Sequence, residues 1–312
     1  MHQLLITIKD FETRFPAAFQ RLTASALFDI HQISSLTDLT EQEKKRLLAQ
    51  TEAWFLSTER LDETLLNDMP LLSIAAKMGS GMDNINLENC AERQIRVINS
   101  KGKNTNAVAE MTLCLMLSVM RHTLPLSAAA RDGNWNARCP GNEIRNKTVG
   151  LVGFGMIARR LAALLAPFEA AILSYDPQMD AVAARQLHVT PVSFDELLSA
   201  SDIISVHIPG LPQNEGLFCR ETFLRMKKGA FFINCSRGSL VREADLYEAL
   251  RSGHLKGAAC DVFSQEPLPA GNPLFTLPDF IGTPHLAGMT EESMLADSME
   301  IANGLISHFS RR

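Results

Sequence analysis

Apolar residues along the chain come in short runs, separated by stretches in which they recur every three to four positions. In the first hundred residues the runs fall at 4–8, 26–30, Ala53–Leu56, 71–76 and 95–98, with a clear helical pattern at Glu41–Gln50 between two of them. A second, denser series follows at Thr148–Val152, Ala171–Tyr175, 188–192, 203–208, Ala230–Asn234, 257–262 and Phe280–Gly282. Runs this short, alternating with helical stretches, predict strands of parallel sheets with helices packed on their faces. Between the two series, Thr105–Met120 is apolar on most faces, the pattern of a helix packed on all sides, within a domain crossing or a subunit interface. Near the end, Met294, Leu295, Met299, Ala302, Leu305, Ile306 and Phe309 recur close to a 3.6-residue period and predict an amphipathic helix. The expected architecture is two α/β lobes with a cleft between them, and ligands in such sheets sit beyond the carboxyl ends of the strands.

Composition narrows the function. The chain has 312 residues, 46% hydrophobic and 21% charged, the make-up of a globular protein of about two domains. A net charge of -5 offers no electrostatic footprint for nucleic acid, so an anionic substrate must be captured by local cations. The six cysteines form no CxxC pair, which argues against a zinc site, and they are too few for a disulfide framework. Reduced thiols fit a cytoplasmic protein. The apolar stretch at 4–8 is too short for a signal-peptide core, and the one around Met111 to Met120 is too short to span a bilayer. No metal, nucleic-acid or membrane role is expected.

The first chemical motif lies at the end of the run Thr148–Val152. Gly153 and Gly155, with Ala158 in the third position, form a GxGxxA turn between a strand and a helix. The first glycine permits the turn, the second lets backbone amides approach a pyrophosphate, and the small third residue lets helix and strand pack closely. The helix N-terminus favours the phosphate charge. Asp176 follows the next strand, about 20 residues after Gly155, where a carboxylate accepts the hydroxyls of an adenosine ribose. The same carboxylate repels a 2′-phosphate, so NAD is favoured over NADP. Arg159 and Arg160 on the following helix are expected to be solvated.

Three polar residues stand near the ends of the last strands: Arg237 in Asn234-Cys-Ser-Arg-Gly238, Glu266 in Asp261-Val-Phe-Ser-Gln-Glu-Pro267, and His285 in Thr283-Pro-His-Leu-Ala-Gly288. Oxidising a hydroxyl by hydride transfer needs a base for its proton, and the reverse reaction needs an acid; histidine does both near neutral pH. A neighbouring carboxylate favours the imidazolium and orients it. A guanidinium binds a substrate carboxylate and polarises a carbonyl. Each residue alone is also what an ordinary turn or surface would carry; their joint position after a dinucleotide turn points to chemistry.

From about residue 71 to 290 the chain closely resembles the D-isomer-specific 2-hydroxyacid dehydrogenases, phosphoglycerate dehydrogenase-like members most of all. The resemblance rests on Gly79-Ser-Gly-Met-Asp-Asn84, Asn104-Thr-Asn-Ala-Val-Ala-Glu110, the Gly153 turn, Tyr175-Asp-Pro177, Val206-His-Ile-Pro209, Asn234-Cys-Ser-Arg-Gly238, the stretch from Gly257 to Pro267, and Thr283-Pro-His285. It implies two Rossmann-like or flavodoxin-like lobes, a substrate lobe from 1–99 plus 289–312 and an NAD lobe from 100–288. It implies that Arg237, Glu266 and His285 are the catalytic trio. Amides near Ser80 and Gly81 would hold the substrate carboxylate with Arg237, and Lys77 would line the far end of the site. NAD would lie against Ser80, Gly153, Gly155, Met156, Ile157, Asp176, Ile208, Cys235, Asp261, His285 and Gly288. A homodimer through the NAD lobe is implied, which suits Thr105–Met120.

Two positions depart from the phosphoglycerate pattern. Where those members often carry arginines, before the serine of the third strand-end segment and before the first glycine loop, this chain has Leu56 and Lys77. Arginine and lysine are not interchangeable at a phosphate, and leucine offers nothing there; only Arg60 could compensate. The expected substrate is a small unphosphorylated 2-oxo acid such as hydroxypyruvate or glyoxylate. Glu266 separates the chain from formate dehydrogenases, which place Gln there. A phosphite dehydrogenase-like enzyme, which keeps the trio, and a non-catalytic NAD-sensing regulator of the same fold, like the C-terminal-binding-protein corepressors, stay open as alternatives. The long tail of such corepressors and a regulatory domain after residue 312 are not expected.

Overall fold

Among residues 1–310, which the computed structural model describes, the apolar runs form the strands of two parallel sheets. The chain divides into two compact units, Met1–Asn104 with Gly288–Arg312, and Thr105–Ala287. These divisions fall at 104/105 and 287/288, a few residues from the 99/100 and 288/289 of the sequence reading.

The first unit holds β1 (His2–Ile6), β2 (Phe28–Gln32), β3 (Ala53–Leu56), β4 (Ile74–Lys77) and β5 (Arg96–Asn99), in the spatial order β2-β1-β3-β4-β5. Because β2 is added on one side of β1 and β3 on the other, the connecting helices cover both faces. One face buries Phe11, Phe15, Ala18 and Leu22 with Ile301, Leu305 and Phe309 of the long helix Glu291–Phe309. The other buries Leu48, Leu66 and Cys90 against Leu5, Trp54 and Ala75. Each large apolar side chain removed from water contributes roughly 1.5–3 kcal/mol, so the amphipathic last helix is held by its apolar stripe.

Strands β1, β2, β4 and β5 of this unit are shifted from their apolar runs, the first three for visible local reasons. Ala26 has φ 56, a left-handed conformation that closes the preceding helix, so β2 starts only at Phe28. Leu71 is 56% exposed in a turn, and β4 begins at Ile74. β1 ends at Ile6, and the chain then turns through Asp10 at φ 53.

The second unit holds β6 (Thr148–Val152), β7 (Ala171–Tyr175), β8 (Val189–Pro191), β9 (Ile203–Val206), β10 (Ala230–Asn234), β11 (Leu255–Cys260) and β12 (Phe280–Gly282), in the order β12-β11-β10-β9-β6-β7-β8. Here the order reverses between β6 and β9. The helix Thr105–Met120 lies on one face of this sheet: Leu115, Met116, Val119 and Met120 share a core with Leu151, Leu161 and Leu165. It is not packed all round within the unit, since Cys114 is exposed.

Candidate functional site

The carboxyl edge of the seven-stranded sheet carries most of the candidate residues. Every strand pair recorded in this sheet is parallel, so the segments that follow the strands emerge on one edge. From β12 toward β7, that edge presents His285, Glu266, Arg237, Ile208, the Gly153 turn and Asp176.

The glycine turn is built as a dinucleotide cradle requires. Gly153 has φ +97, and a Cβ there would lie 2.7 Å from the His207 carbonyl, so the ends of β6 and β9 approach only because the residue is glycine. Gly155 is different: a Cβ on it would meet nothing within 4 Å. The fold therefore does not need that glycine, and the space before the helix Met156–Leu165 is open to the amides of its first turn, as a phosphate would require. Ala158 is fully buried, as close packing of helix and strand demands. Asp176 is fixed by two amides: Phe154 N–H donates to Oδ2 at 2.7 Å and Gln178 N–H donates to Oδ1 at 2.7 Å. Each carboxylate oxygen keeps capacity for a second hydrogen bond. Met156 is 48% exposed at the head of the helix, and Ile157 and Ile208 are half-buried. These residues fit a dinucleotide.

Arg159 is not solvated in the manner expected from sequence. Its Nε donates to the Phe154 carbonyl at 2.9 Å, its Nη1 lies 3.0 Å from Asp180 Oδ2, and it stacks over the Phe154 ring. It braces the glycine turn. Arg160 is exposed, as a solvated cation is, and donates to Asn106 Oδ1 at 2.7 Å.

At the other end of the edge, His285 Nδ1 lies 2.6 Å from Glu266 Oε2. Phe263 N–H donates to the other oxygen, Oε1, at 2.9 Å, so the carboxylate is anchored at both ends. His285 has φ 53, a left-handed conformation that a non-glycine residue adopts only when its surroundings impose it. Asp261, fully buried, does the imposing: it accepts the Thr283 hydroxyl at 2.6 Å, the Leu286 N–H at 2.9 Å and the Ala287 N–H at 2.8 Å. The Asp261 carboxylate thus grips the histidine turn. With Nδ1 committed to Glu266, the Nε2 face of the imidazole is the one left to exchange a proton with a ligand.

Arg237 follows β10, held by a hydrogen bond from its Nη1 to the Ser236 carbonyl at 2.7 Å, while Asn234 Nδ2 donates to the Arg237 carbonyl at 2.9 Å. The next residue, Gly238, packs against the backbone of the loop that leads to Glu266. A Cβ there would stand 1.9 Å from the Phe263 carbonyl carbon. This glycine brings the arginine and glutamate segments together.

Desolvation marks two further groups on this edge. Burial pushes the Cys235 thiol up to about 12, so it is an inert wall and not a nucleophile. Burial holds His207, after β9, down to about 4, with Ser205 Oγ 2.9 Å from its Nε2. The sequence assigns His207 no role, although it lies in the quoted Val206-His-Ile-Pro209 stretch; a polar residue directly after an apolar strand run is the signal it offers.

Lys77, Ser80, Gly81 and Gly288 belong to the first unit. Lys77 closes β4, and its Nζ donates to the Met78 carbonyl at 2.8 Å. Ser80 Oγ donates to Asn104 Oδ1 at 3.0 Å, and Asn99 Nδ2 donates to the Ser80 carbonyl at 2.9 Å, which fixes the 79–81 turn. Gly288 begins the returning segment, its carbonyl accepting the Ser293 hydroxyl.

Comparison with known proteins adds a family. Residues 113–287 match the family described as D-isomer specific 2-hydroxyacid dehydrogenase, NAD binding domain. A D-3-phosphoglycerate dehydrogenase of Archaeoglobus fulgidus is 34% identical over 278 residues, covering 88% of this chain and 53% of that protein. This chain thus spans about half the length of the curated relatives it matches. Among solved structures, the TT0316 protein from Thermus thermophilus is 30% identical, with a TM-score of 0.89 over 99% of this chain and 97% of that one. The NAD-dependent formate dehydrogenase of Staphylococcus aureus in complex with NAD is 27% identical, with a TM-score of 0.83 over 100% of this chain and 95% of the other.

Proposed function

The chain belongs to the D-isomer specific 2-hydroxyacid dehydrogenase family, and from that premise we propose that it is an NAD-dependent oxidoreductase interconverting a D-2-hydroxy acid and its 2-oxo acid. The observation that carries this reading is the 2.6 Å pair of His285 and Glu266 on the same sheet edge as the glycine turn. NAD, when bound, supplies the site that accepts or returns the hydride at carbon 2. Gly153, Gly155 and the amides that follow would hold its pyrophosphate, Asp176 its adenosine ribose, and Met156, Ile157, Ile208 and Cys235 would form its apolar surroundings. Asp261 frames the turn of His285, and Gly288 would be a further contact for the cofactor. In oxidation, Nε2 of His285 takes the hydroxyl proton while Glu266 stabilises the imidazolium; in reduction the same nitrogen gives the proton to the carbonyl oxygen. Arg237 would pair with the substrate carboxylate; the first unit's own candidates for a substrate contact are the amides of Ser80 and Gly81 and the Lys77 ammonium. No metal is needed for this chemistry.

The substrate is a small 2-oxo acid without a phosphate. Leu56 is fully buried and offers no donor, Glu59 is bonded to the Ser57 amide, and the Arg60 side chain is 83% exposed beside Asp62. A phosphate dianion would want bidentate guanidinium contacts instead. The phosphoglycerate relatives favour a second reading, 3-phosphohydroxypyruvate as substrate. The kcat/KM values for phosphorylated and unphosphorylated hydroxypyruvate with NADH decide between the two. A preference for the unphosphorylated acid is expected, and a clear preference for the phosphorylated one overturns it.

We further assign the protein to the cytoplasm as a homodimer through the NAD-binding unit. Its six cysteines are free, and among the described residues no single helix is long and apolar enough to cross a membrane. The helix Thr123–Arg131 in that unit buries none of its residues, and Leu124 and Trp135 are 55% and 79% exposed, apolar surface that a second copy would cover.

A further inference from the structure

We propose that Asp297, on the last helix, is a positioning residue for the substrate: through the Ser100 hydroxyl it holds the 79–81 turn in the shape that presents the Ser80 and Gly81 amides. The proposal rests on the reading above that these amides bind the substrate carboxylate, and every residue in it belongs to the first unit.

The helix Glu291–Phe309 buries Ser293, Asp297, Ile301, Leu305 and Phe309, a four-residue spacing that puts them on one face. The last three share a core with Ala76 of β4, and Ile98 of β5 packs against it. Asp297 therefore stands at a core position. It is 5% exposed, and its Oδ1 is buried with no hydrogen-bond partner among the described residues. A buried carboxylate without its full set of partners costs stability, and an apolar side chain would continue the stripe at no such cost. The fold alone gives no reason for a carboxylate there.

The reason lies at the end of β5. Ser100 follows that strand and is fully buried. Burial pushes the Asp297 carboxyl up, against a hydrogen bond from the Ser100 side chain and the charges of Lys77 and Lys103. Lys103 Nζ is also 3.3 Å from Glu300 Oε2, nearby on the same helix. A serine hydroxyl has one hydrogen to give. Given to Asp297, it leaves the Ser100 oxygen as an acceptor, and to that oxygen the Gly79 N–H donates at 2.9 Å. An anion behind the hydroxyl polarises it and strengthens it as an acceptor. Gly79 has φ +90, the left-handed conformation from which the turn starts. Its amide is committed to Ser100, whereas the amides of Ser80 and Gly81 donate to nothing among the described residues. One amide of the turn thus anchors it, and the next two are left for a ligand. The bonds that Asn99 and Asn104 make to Ser80 hold the same turn without charge.

The test compares Asp297→Asn and Ser100→Ala with the wild-type chain on the 2-oxo acid that it reduces best with NADH. Each variant should raise KM for the 2-oxo acid about tenfold, as loss of a hydrogen bond involving a charge does, with kcat and the KM for NADH close to wild type. The double variant should raise it no further, because the two residues act as one chain. The Tm of Asp297→Asn should equal or exceed that of wild type, because a buried charge is removed. Ser100→Ala covers the case in which Asp297→Asn loses its fold. A lower Tm with KM unmoved, or effects on KM that add in the double variant, overturns the proposal. Hydrogen exchange at the Gly79 amide reads the same chain of contacts without turnover, and should speed up about tenfold in both single variants. A wild-type chain that reduces no 2-oxo acid brings down the reaction proposed above and the substrate role with it. Unchanged Gly79 exchange in Asp297→Asn, with wild-type turnover intact, brings down the positioning role alone.

Discussion

The two units are wound alike and differ at one turn. Each is a parallel sheet whose strand order reverses once. In the second unit β6 ends in Gly153-Phe-Gly155, with no side chain on either glycine and an aspartate fixed beside them. In the first unit β1 ends in Thr7-Ile-Lys9-Asp10, where side chains and charge fill the corresponding turn. A bare turn lets a ligand's phosphates reach backbone amides, whereas a side-chain-bearing turn closes them off. The shared winding specifies where the turn falls, and the turn residues specify whether phosphates can use it. The second unit also carries a paired carboxylate and imidazole after β11 and β12, 2.6 Å apart, and an arginine after β10.

The sharpest way to break this contrast is to remove the proton carrier. His285→Ala should lower kcat by about 10²–10⁴, the usual share of acid–base catalysis, while NADH binding measured by fluorescence stays close to wild type. A kcat within a factor of a few of wild type would mean that the edge of the second unit is not chemically special. Gly238→Ala should act on the same edge through packing. Its Cβ would stand 1.9 Å from the Phe263 backbone, and because backbone cannot yield as a side chain does, the cost should reach about 3 kcal/mol or more in urea unfolding.

A smaller effect belongs to His207. Its folded value near 4 lies below the ordinary 6.5, so below pH 6.5 the unfolded chain takes up a proton that the native chain refuses. The stability due to this group is present above pH 6.5 and is lost as pH falls toward 4. At pH 5 the loss amounts to at most about 2 kcal/mol. His207→Gln should reduce the difference in unfolding free energy between pH 7 and pH 5 by that amount, and an unchanged difference would count against the buried neutral imidazole. Smallest is Asp176→Ala, which should narrow the preference for NADH over NADPH in kcat/KM by about tenfold, through loss of the ribose hydrogen bonds and of the repulsion. Equal or better kcat/KM with NADPH in the wild-type chain would sink the NAD assignment.

Much of the fold is legible because strand runs in doubly covered sheets are short, apolar and bounded by turns. β3, β6, β7, β10 and β12 lie where their apolar runs lie. β2 departs from its run because Ala26 looks like a strand residue and only its left-handed φ removes it. The glycine turn and the Arg237, Glu266 and His285 segments are visible as residues with a chemical purpose after strands. What holds them is not visible. That Asp261 grips the turn of His285, that Gly238 abuts Phe263, and that Arg159 braces Phe154 are contacts between segments 20 or more positions apart or across a tight turn. No periodicity encodes them. Leu56, read as a missing phosphate contact, proves to be core, a role its place at the end of an apolar run already suggested.

The central claim is that this chain reduces a 2-oxo acid with NADH, and loss of NADH absorbance on a panel of 2-oxo acids tests it most directly. The account predicts turnover with at least one small unphosphorylated member, hydroxypyruvate or glyoxylate foremost, with the D-2-hydroxy acid as product wherever carbon 2 is chiral. NADH binding without turnover on any member of the panel, phosphorylated acids included, would contradict it and leave a non-catalytic NAD sensor in its place.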